Sequence, residues 1–383
     1  MKNEIKILIA GDLCLQDRTA DLDIDILTQC HAACVPYIKD VDYSIVNLEC
    51  AVVTSTFLQP IRKAGISLKC SCDVLHLTKA LGFDACSLAN NHFADYGDEG
   101  VKESLNHLEN FGLDKFGAGL NSKDARKIFY KTIKRKKFAF INACEHEFTI
   151  ATDTKAGCNP LNPISLSYDI KDARLNADYV VVIIHGGHEE YQLPSPRMQE
   201  TYRFFIDMGA DVVVNHHQHC YSGYEIYKGQ PIIYGLGNFS FDENGERGGI
   251  WNEGYMVTLN FSETIQFKLT PYIQNDEQVG VQILTDTSAF DANVTKLNAI
   301  IASPIELKKS WSLMAEKRRN EYMTPLKPYQ YFILKIMAKY NLLPNKLAAK
   351  LLPEYMNLER KLFLKNYFQC ESHRDIMNKL LQQ

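Results

Sequence analysis

The chain has 383 residues, of which 46% are hydrophobic and 23% charged, with a formal net charge of −4. That length holds one large α/β domain with a smaller appendage, and the balance excludes a disordered chain and carries no electrostatic footprint for nucleic acid, so no nucleic-acid partner is expected. The eleven cysteines are odd in number and follow no framework, which reads as reduced thiols rather than disulfide staples.

In chain order, the opening run supplies about six apolar residues before Gly11-Asp12, too few for a signal peptide. It reads as a first strand, Ile5–Ala10, ending at that pair. Cys30 and Cys34 flank His31, and Cys70 and Cys72 lie one residue apart, but neither pair has a second half at zinc-site spacing, so buried or incidental thiols are expected. A second strand, Tyr43–Asn47, runs into Asn47-Leu48-Glu49, and a third, Ala85–Ala89, into Asn90-Asn91-His92. Phe138–Ala143 follows. Tyr179–Ile184, a continuous apolar run, leads into His185-Gly186-Gly187, and Asp211–Val214 into Asn215-His216-His217-Gln218-His219. Gly223–Lys228 and Pro231–Tyr234 flank Gly229-Gln230, a hairpin-length connection, and Tyr255–Phe261 closes the series. Helical stretches between apolar strands predict an α/β fold with a covered, mixed sheet system.

From about Ser303 the pattern changes to amphipathic stretches punctuated by prolines, and a boundary near residue 285 divides 1–285 from a helical region, 286–383. From Ser303 onward fifteen Lys and Arg face seven Asp and Glu, which suggests an interaction surface. Aromatics alternate with lysines across 328–368. Such helices can lie on an anionic membrane, although packing on the chain's own core is the commoner use. No stretch approaches the ~18–20 uninterrupted apolar residues of a spanning helix. The expected location is cytoplasmic, with peripheral contact at the inner membrane face as the variant of it.

The predicted strands end in residues able to bind metal, and sites in α/β sheets gather at the carboxyl ends of strands. Singly, Asp12 could cap a turn and an Asn-His pair could satisfy a buried carbonyl. Six of the eleven histidines, however, fall in these segments: His92, His185, His188, His216, His217 and His219. Carboxylate, imidazole and amide oxygen together suit two divalent ions of the Mn, Fe or Zn type. Asp12 is the candidate bridging carboxylate and Asn91 the neutral ligand. The His217-Gln218-His219 step is expected to leave strand geometry and form a loop in which both imidazoles meet one metal cluster.

The order and wording of Gly11-Asp12, Asn47-Leu48-Glu49, Asn90-Asn91-His92 with Asp95 and Gly97, His185-x-Gly with Glu190-Tyr191, His217-x-His219 and Tyr234-Gly-Leu-Gly-Asn238-Phe239 resemble the successive signatures of the bacterial capsule-synthesis CapA family, over residues 4 to 262. That family belongs to the calcineurin-like metallophosphatases, which implies a four-layer sandwich of two mixed sheets between helices. The resemblance places Asp12, Glu49, Asn91, His185, His217 and His219 at the metals. It gives His92 a proton-transfer role beside Asp12, with a supporting hydrogen bond as its alternative, and leaves Asn90, Glu190 and Asn238 as substrate-binding candidates. The sequence lacks the histidine that many relatives carry two positions after the aspartate, which leaves one metal position weakly or differently ligated. The implied function is a metal-dependent, phosphoesterase-like hydrolase in the synthesis of a capsule of the poly-γ-glutamate type or a related envelope polymer, with an anionic polymer or phosphorylated substrate and capsule-synthesis proteins as partners. The alternative is a non-catalytic polymer-binding or assembly partner of the synthesis complex.

Overall fold

Alternate side chains of the first strand, Ile5–Cys14, feed two different cores, as the two-residue period of a strand dictates. Ile5, Ile7 and Ile9 enter one apolar cluster, and Leu8 and Ala10 the other. The computed structural model describes residues 4–243, 248–323 and 358–381, together with the isolated positions 336, 337, 340, 342, 344 and 347.

Two large mixed sheets result. The first runs in the order Val281–Ile283, Gln266–Gln274, Glu253–Phe261, Ile5–Cys14, Tyr43–Leu48, Ala85–Ser87 and Asp114–Phe116, with Asn238–Phe241 added alongside the end of Ile5–Cys14. Ile5–Cys14 pairs parallel with Tyr43–Leu48 and antiparallel with Glu253–Phe261. The second sheet is ordered Tyr224–Tyr227, Gln230–Ile233, Val212–His216, Tyr179–His185, Lys136–Cys144 and Phe129–Ile133. Ile7, Ile9 and Ile45 of the first sheet share a core with Phe138, Phe140 and Val181 of the second. Helices Asp73–Leu81 and Gly97–Asn110 cover the first sheet through Val74, Leu77, Val101 and Leu108. Helices Pro163–Asn176 and Pro196–Met208 cover the second through Leu166, Ile170, Tyr202 and Phe205. The four-layer arrangement that the family resemblance implies is thus present. The first strand runs on past Ala10 to Cys14 because a register shift at Gly11-Asp12 lets it continue pairing, now with Asn238–Phe241.

The helical end is joined to the sandwich. Helix Ser288–Ala302 buries Val294, Leu297 and Ile301 in the shared core. Helices Pro304–Lys317, Leu358–Gln369 and Glu371–Leu381 form a further cluster of Trp311, Tyr367, Ile376, Met377 and Leu380. Buried polar contacts fasten the last helix: Glu145 accepts from Arg197 at 2.6 Å and from the Ser372 hydroxyl, Asp375 accepts from Arg197 at 2.7 Å, and the His146 ring meets Glu371 at 2.7 Å. Most of the stretch 328–357, where membrane contact was expected to begin, lies outside the described residues. In Leu358–Gln369 the Tyr367 ring stacks on Tyr322 while Phe368 is exposed. Among the described residues no helix is long and apolar enough to cross a membrane.

Candidate metal centre

The centre is assembled where five strand ends and their following loops meet. At the first of them a Cβ on Gly11 would stand 1.9 Å from the Gly237 carbonyl oxygen, so only glycine allows the two backbones to approach. The Asp12 N–H donates to that same carbonyl at 3.2 Å. Asp12 Oδ1 accepts from Asn47 Nδ2 at 2.7 Å, and Oδ2 from the His217 N–H at 3.1 Å. Asn47 Nδ2 also lies 3.3 Å from His185 Nδ1. Asn47 thus fixes the carboxylate; the sequence reading quoted it within a motif but gave it no role.

Around His185 Nε2 three further lone-pair atoms converge: Asn91 Oδ1 at 3.0 Å, His217 Nδ1 at 3.1 Å and Glu49 Oε1 at 3.2 Å. His219 Nε2 lies 3.8 Å from the same Glu49 oxygen, and its Nδ1 lies 3.8 Å from Asp12 Oδ2. Two groups of ligand atoms lie close enough to hold an ion, Asp12 with Glu49 and His185, and Glu49 with His217 and His219. The carboxylate common to both is Glu49; Asp12 belongs to one. Strand Val212–His216 stops before the two histidines, and His217 and His219 adopt φ of 88° and 53°. Such left-handed backbone costs a non-glycine residue on the order of 1–3 kcal/mol and gathers at functional sites. Here it brings both rings to one cluster.

The electrostatics favour a cation. Glu49 is completely buried and neither of its carboxylate oxygens receives a hydrogen bond. Burial raises the pKa of Glu49, and burial followed by the neighbouring Glu49 raises that of Asp12. Burial pushes His185 down to about 3 and His217 well down, which keeps both imidazoles neutral and able to donate lone pairs. His219 moves the other way: burial opposes its charge, but Glu49, Glu189 and Asp12 hold it up to about 9. The single hydrogen His185 Nε2 could carry cannot satisfy three neighbouring acceptors. Ligands at ordinary distances from one divalent ion lie about 3.0–3.6 Å apart, the spacing seen around His185 Nε2. The residues present therefore fit a divalent metal site, and Glu49, His185, Asn91, His217, His219 and Asp12 are those able to hold it.

The remaining candidates separate by what they touch. His92 lines a cavity of about 440 Å³ beside the cluster, with its Nδ1 held by Asp95 Oδ2 at 2.7 Å. Lys63, which nothing in the sequence pattern singled out, pairs with Asp95, lies 3.1 Å from His92 Nδ1 and donates to the Asn91 carbonyl at 3.2 Å. Asn90 spends its side chain on the backbone, donating to the Leu48 carbonyl and accepting from the N–H groups of His92 and Phe93. Asn238 is fully buried, and its Oδ1 accepts from His219 Nδ1 at 2.8 Å. Both asparagines shape the site rather than face its cavity. Glu190, exposed with φ of 58°, lies on the cavity wall. His216 turns away to the Ala10 carbonyl, and His188 packs on Trp311 with ring centroids 4.6 Å apart. Arg318, Tyr367 and His373 complete the wall from the C-terminal helices, which the sequence reading had set apart from the site.

The family model described as bacterial capsule synthesis protein PGA_cap matches residues 6–243. The "Capsule biosynthesis protein CapA" of Bacillus anthracis is 35% identical over 220 residues, 55% of this chain and 53% of that protein. The "PGA biosynthesis protein CapA" of Bacillus subtilis (strain 168) is 33% identical over 244 residues, 62% of each. A "Probable polyglutamine synthesis accessory protein" of Mycobacterium tuberculosis is 27% identical over 180 residues, 43% of this chain and 47% of its own length. The matched region therefore spans roughly half to three-fifths of the curated relatives.

Proposed function

As the chain belongs to the bacterial capsule synthesis protein family PGA_cap, we propose that it acts in the synthesis of a capsule or related envelope polymer of the poly-γ-glutamate type, as a metal-dependent, phosphoesterase-like hydrolase. The observation that carries the reading is the convergence on buried, unpartnered Glu49 of His185, His217, His219 and Asp12. When bound, divalent ions supply Lewis acidity and lower the pKa of water. The chain's own residues do the rest. Asn47 and the His217 N–H orient Asp12. Asp95 accepts from Nδ1 of His92, leaving Nε2 as the ring nitrogen that can exchange a proton with a substrate in the cavity. Lys63 holds Asp95, and Arg318 on the cavity wall is held by Glu321, so on this reading an anionic polymer or phosphorylated group is drawn by the bound cations rather than by free side-chain charge. The 286–383 region is part of this proposal, since its helices close one side of the cavity.

The test is elemental analysis of the full chain after loading with Mn²⁺, Fe²⁺ or Zn²⁺, together with turnover of phosphodiester and amide model substrates. About two ions per chain, lost or halved in His217→Ala, with turnover lost in the same variant, is the expected result. No ion under any loading condition overturns the metal reading. Ions bound and a polymer ligand retained without turnover would replace the hydrolase with a non-catalytic polymer-binding partner.

A further inference from the structure

Three thiols gather directly behind the candidate metal centre. Cys14 lies two residues beyond Asp12 on the same strand, Cys50 follows Glu49, and Cys70 ends the short strand Lys69–Cys70 that pairs with Ala51–Val52. Their sulfur atoms lie within 4.8 Å of one another, Cys14 Sγ and Cys70 Sγ being 3.8 Å apart. All three are buried. Cys70 Sγ accepts from the Leu15 N–H at 3.3 Å and lies 3.4 Å from the Leu15 carbonyl oxygen, to which the thiol can donate. Sulfurs sharing one tetrahedral or trigonal cation at a metal–sulfur distance of about 2.3 Å are separated by about 3.8–4.0 Å, and the Cys14–Cys70 spacing needs no rearrangement to meet it.

We propose that Cys14, Cys50 and Cys70 form a second, separate site, a trithiolate cradle for a thiophilic d¹⁰ cation such as Zn²⁺. Soft sulfur ligands select such an ion over the harder divalent metals that suit carboxylate and imidazole. The cation adds a side-chain tie to three segments already joined by backbone hydrogen bonds: the strand bearing Asp12, the Glu49-Cys50 step, where the Glu49 N–H donates to the Leu13 carbonyl at 3.0 Å, and the return of the 54–68 loop, where the Val53 N–H donates to the Cys70 carbonyl at 3.1 Å and the Leu68 N–H to Asp95 at 2.8 Å. It acts as a positioning site, since none of its sulfurs lines the cavity. It stands on the sulfur geometry and requires no catalytic activity of the neighbouring centre.

Cadmium is the probe, because sulfur-to-cadmium charge transfer absorbs in the near ultraviolet whereas carboxylate and imidazole ligation does not. The full chain, reduced with a non-thiol reductant, is titrated with Cd²⁺ and then with competing Zn²⁺. The expected result is a band that saturates at about one equivalent, is displaced by Zn²⁺, survives in His217→Ala and Cys72→Ser, and is lost in Cys14→Ser and Cys70→Ser. Cys70→Ala, which leaves no buried hydroxyl, serves as the second variant: folded by circular dichroism yet without the band. Absence of the band in the reduced wild type, or its full persistence in Cys70→Ala, overturns the proposal.

Discussion

Glutamine at position 49 keeps the size of the side chain and removes one charge from the carboxylate that belongs to both ligand groups. In the metal-free chain Glu49 is buried, without hydrogen bonds to its oxygens, and it faces His185 at 3.2 Å, which burial keeps neutral, and His219 at 3.8 Å. A buried, unsatisfied polar group costs about 1–3 kcal/mol. Glu49→Gln stripped of metal is therefore expected to match the wild type or exceed its stability by up to about that amount. Loading inverts the order. An ion held at a hundredfold excess over its dissociation constant stabilises the wild type by about 2.7 kcal/mol, and the variant forgoes this together with the ion. Urea unfolding with chelator and with Mn²⁺ or Zn²⁺, beside elemental analysis, reads both halves. A variant destabilised in chelator that still takes up the wild-type complement of metal would refute the reasoning and make Glu49 a packing residue.

In Gly11→Ala the new Cβ must move from 1.9 Å to at least 3.0 Å from the Gly237 carbonyl; a loss of about 1–3 kcal/mol in thermal unfolding and reduced metal content are expected, and wild-type values in both would contradict the close approach. Arg197→Ala leaves Glu145 and Asp375 without their shared cation; as Arg197 keeps 24% exposure, a cost near the lower end of about 3–5 kcal/mol is expected, read as protease sensitivity of the Glu371–Leu381 helix. His92→Gln should lower kcat on a model substrate by about 10²–10⁴-fold at unchanged metal content, and Asp95→Asn should shift the pH profile, whereas a bystander His92 would leave both alone. Burial lowers His31 to about 4, so its neutral form is favoured in the folded state. Stability is then full above the unfolded value near 6.5 and is lost as pH falls toward 4, by on the order of 3 kcal/mol. His31→Gln should flatten that limb of a stability–pH curve, and an unchanged slope would count against the buried neutral ring.

The strand-end residues were legible because the strands are buried on both faces. A continuous apolar run such as Tyr179–Ile184 gives way abruptly to polar side chains, so the segments holding Asp12, Glu49, Asn91, His185, His217 and His219 stand out by contrast, while the choice of those six as the ligand set came with the family resemblance. Phe129–Ile133, at the edge of one sheet, and Gln266–Gln274, next to the edge of the other, were less visible, since partly exposed positions interrupt their apolar pattern. Asn90 and Asn238 show the same limit at the site: an amide in a motif reads alike whether it faces a ligand or its own backbone, and hydrogen-bond direction is not written in residue type.

By itself the amino-acid order determined the α/β class and the segments after the apolar runs that carry the ligand types, because period, burial and residue chemistry are local properties. The tertiary structure alone decided that Glu49 is the shared carboxylate, that Asn47 and Lys63 brace Asp12 and Asp95, that the C-terminal helices wall the cavity, and that Cys14, Cys50 and Cys70 meet. These are contacts between segments distant in the chain, and such proximity is created by the packing of the sheets and helices, which leaves no periodic trace in any one segment.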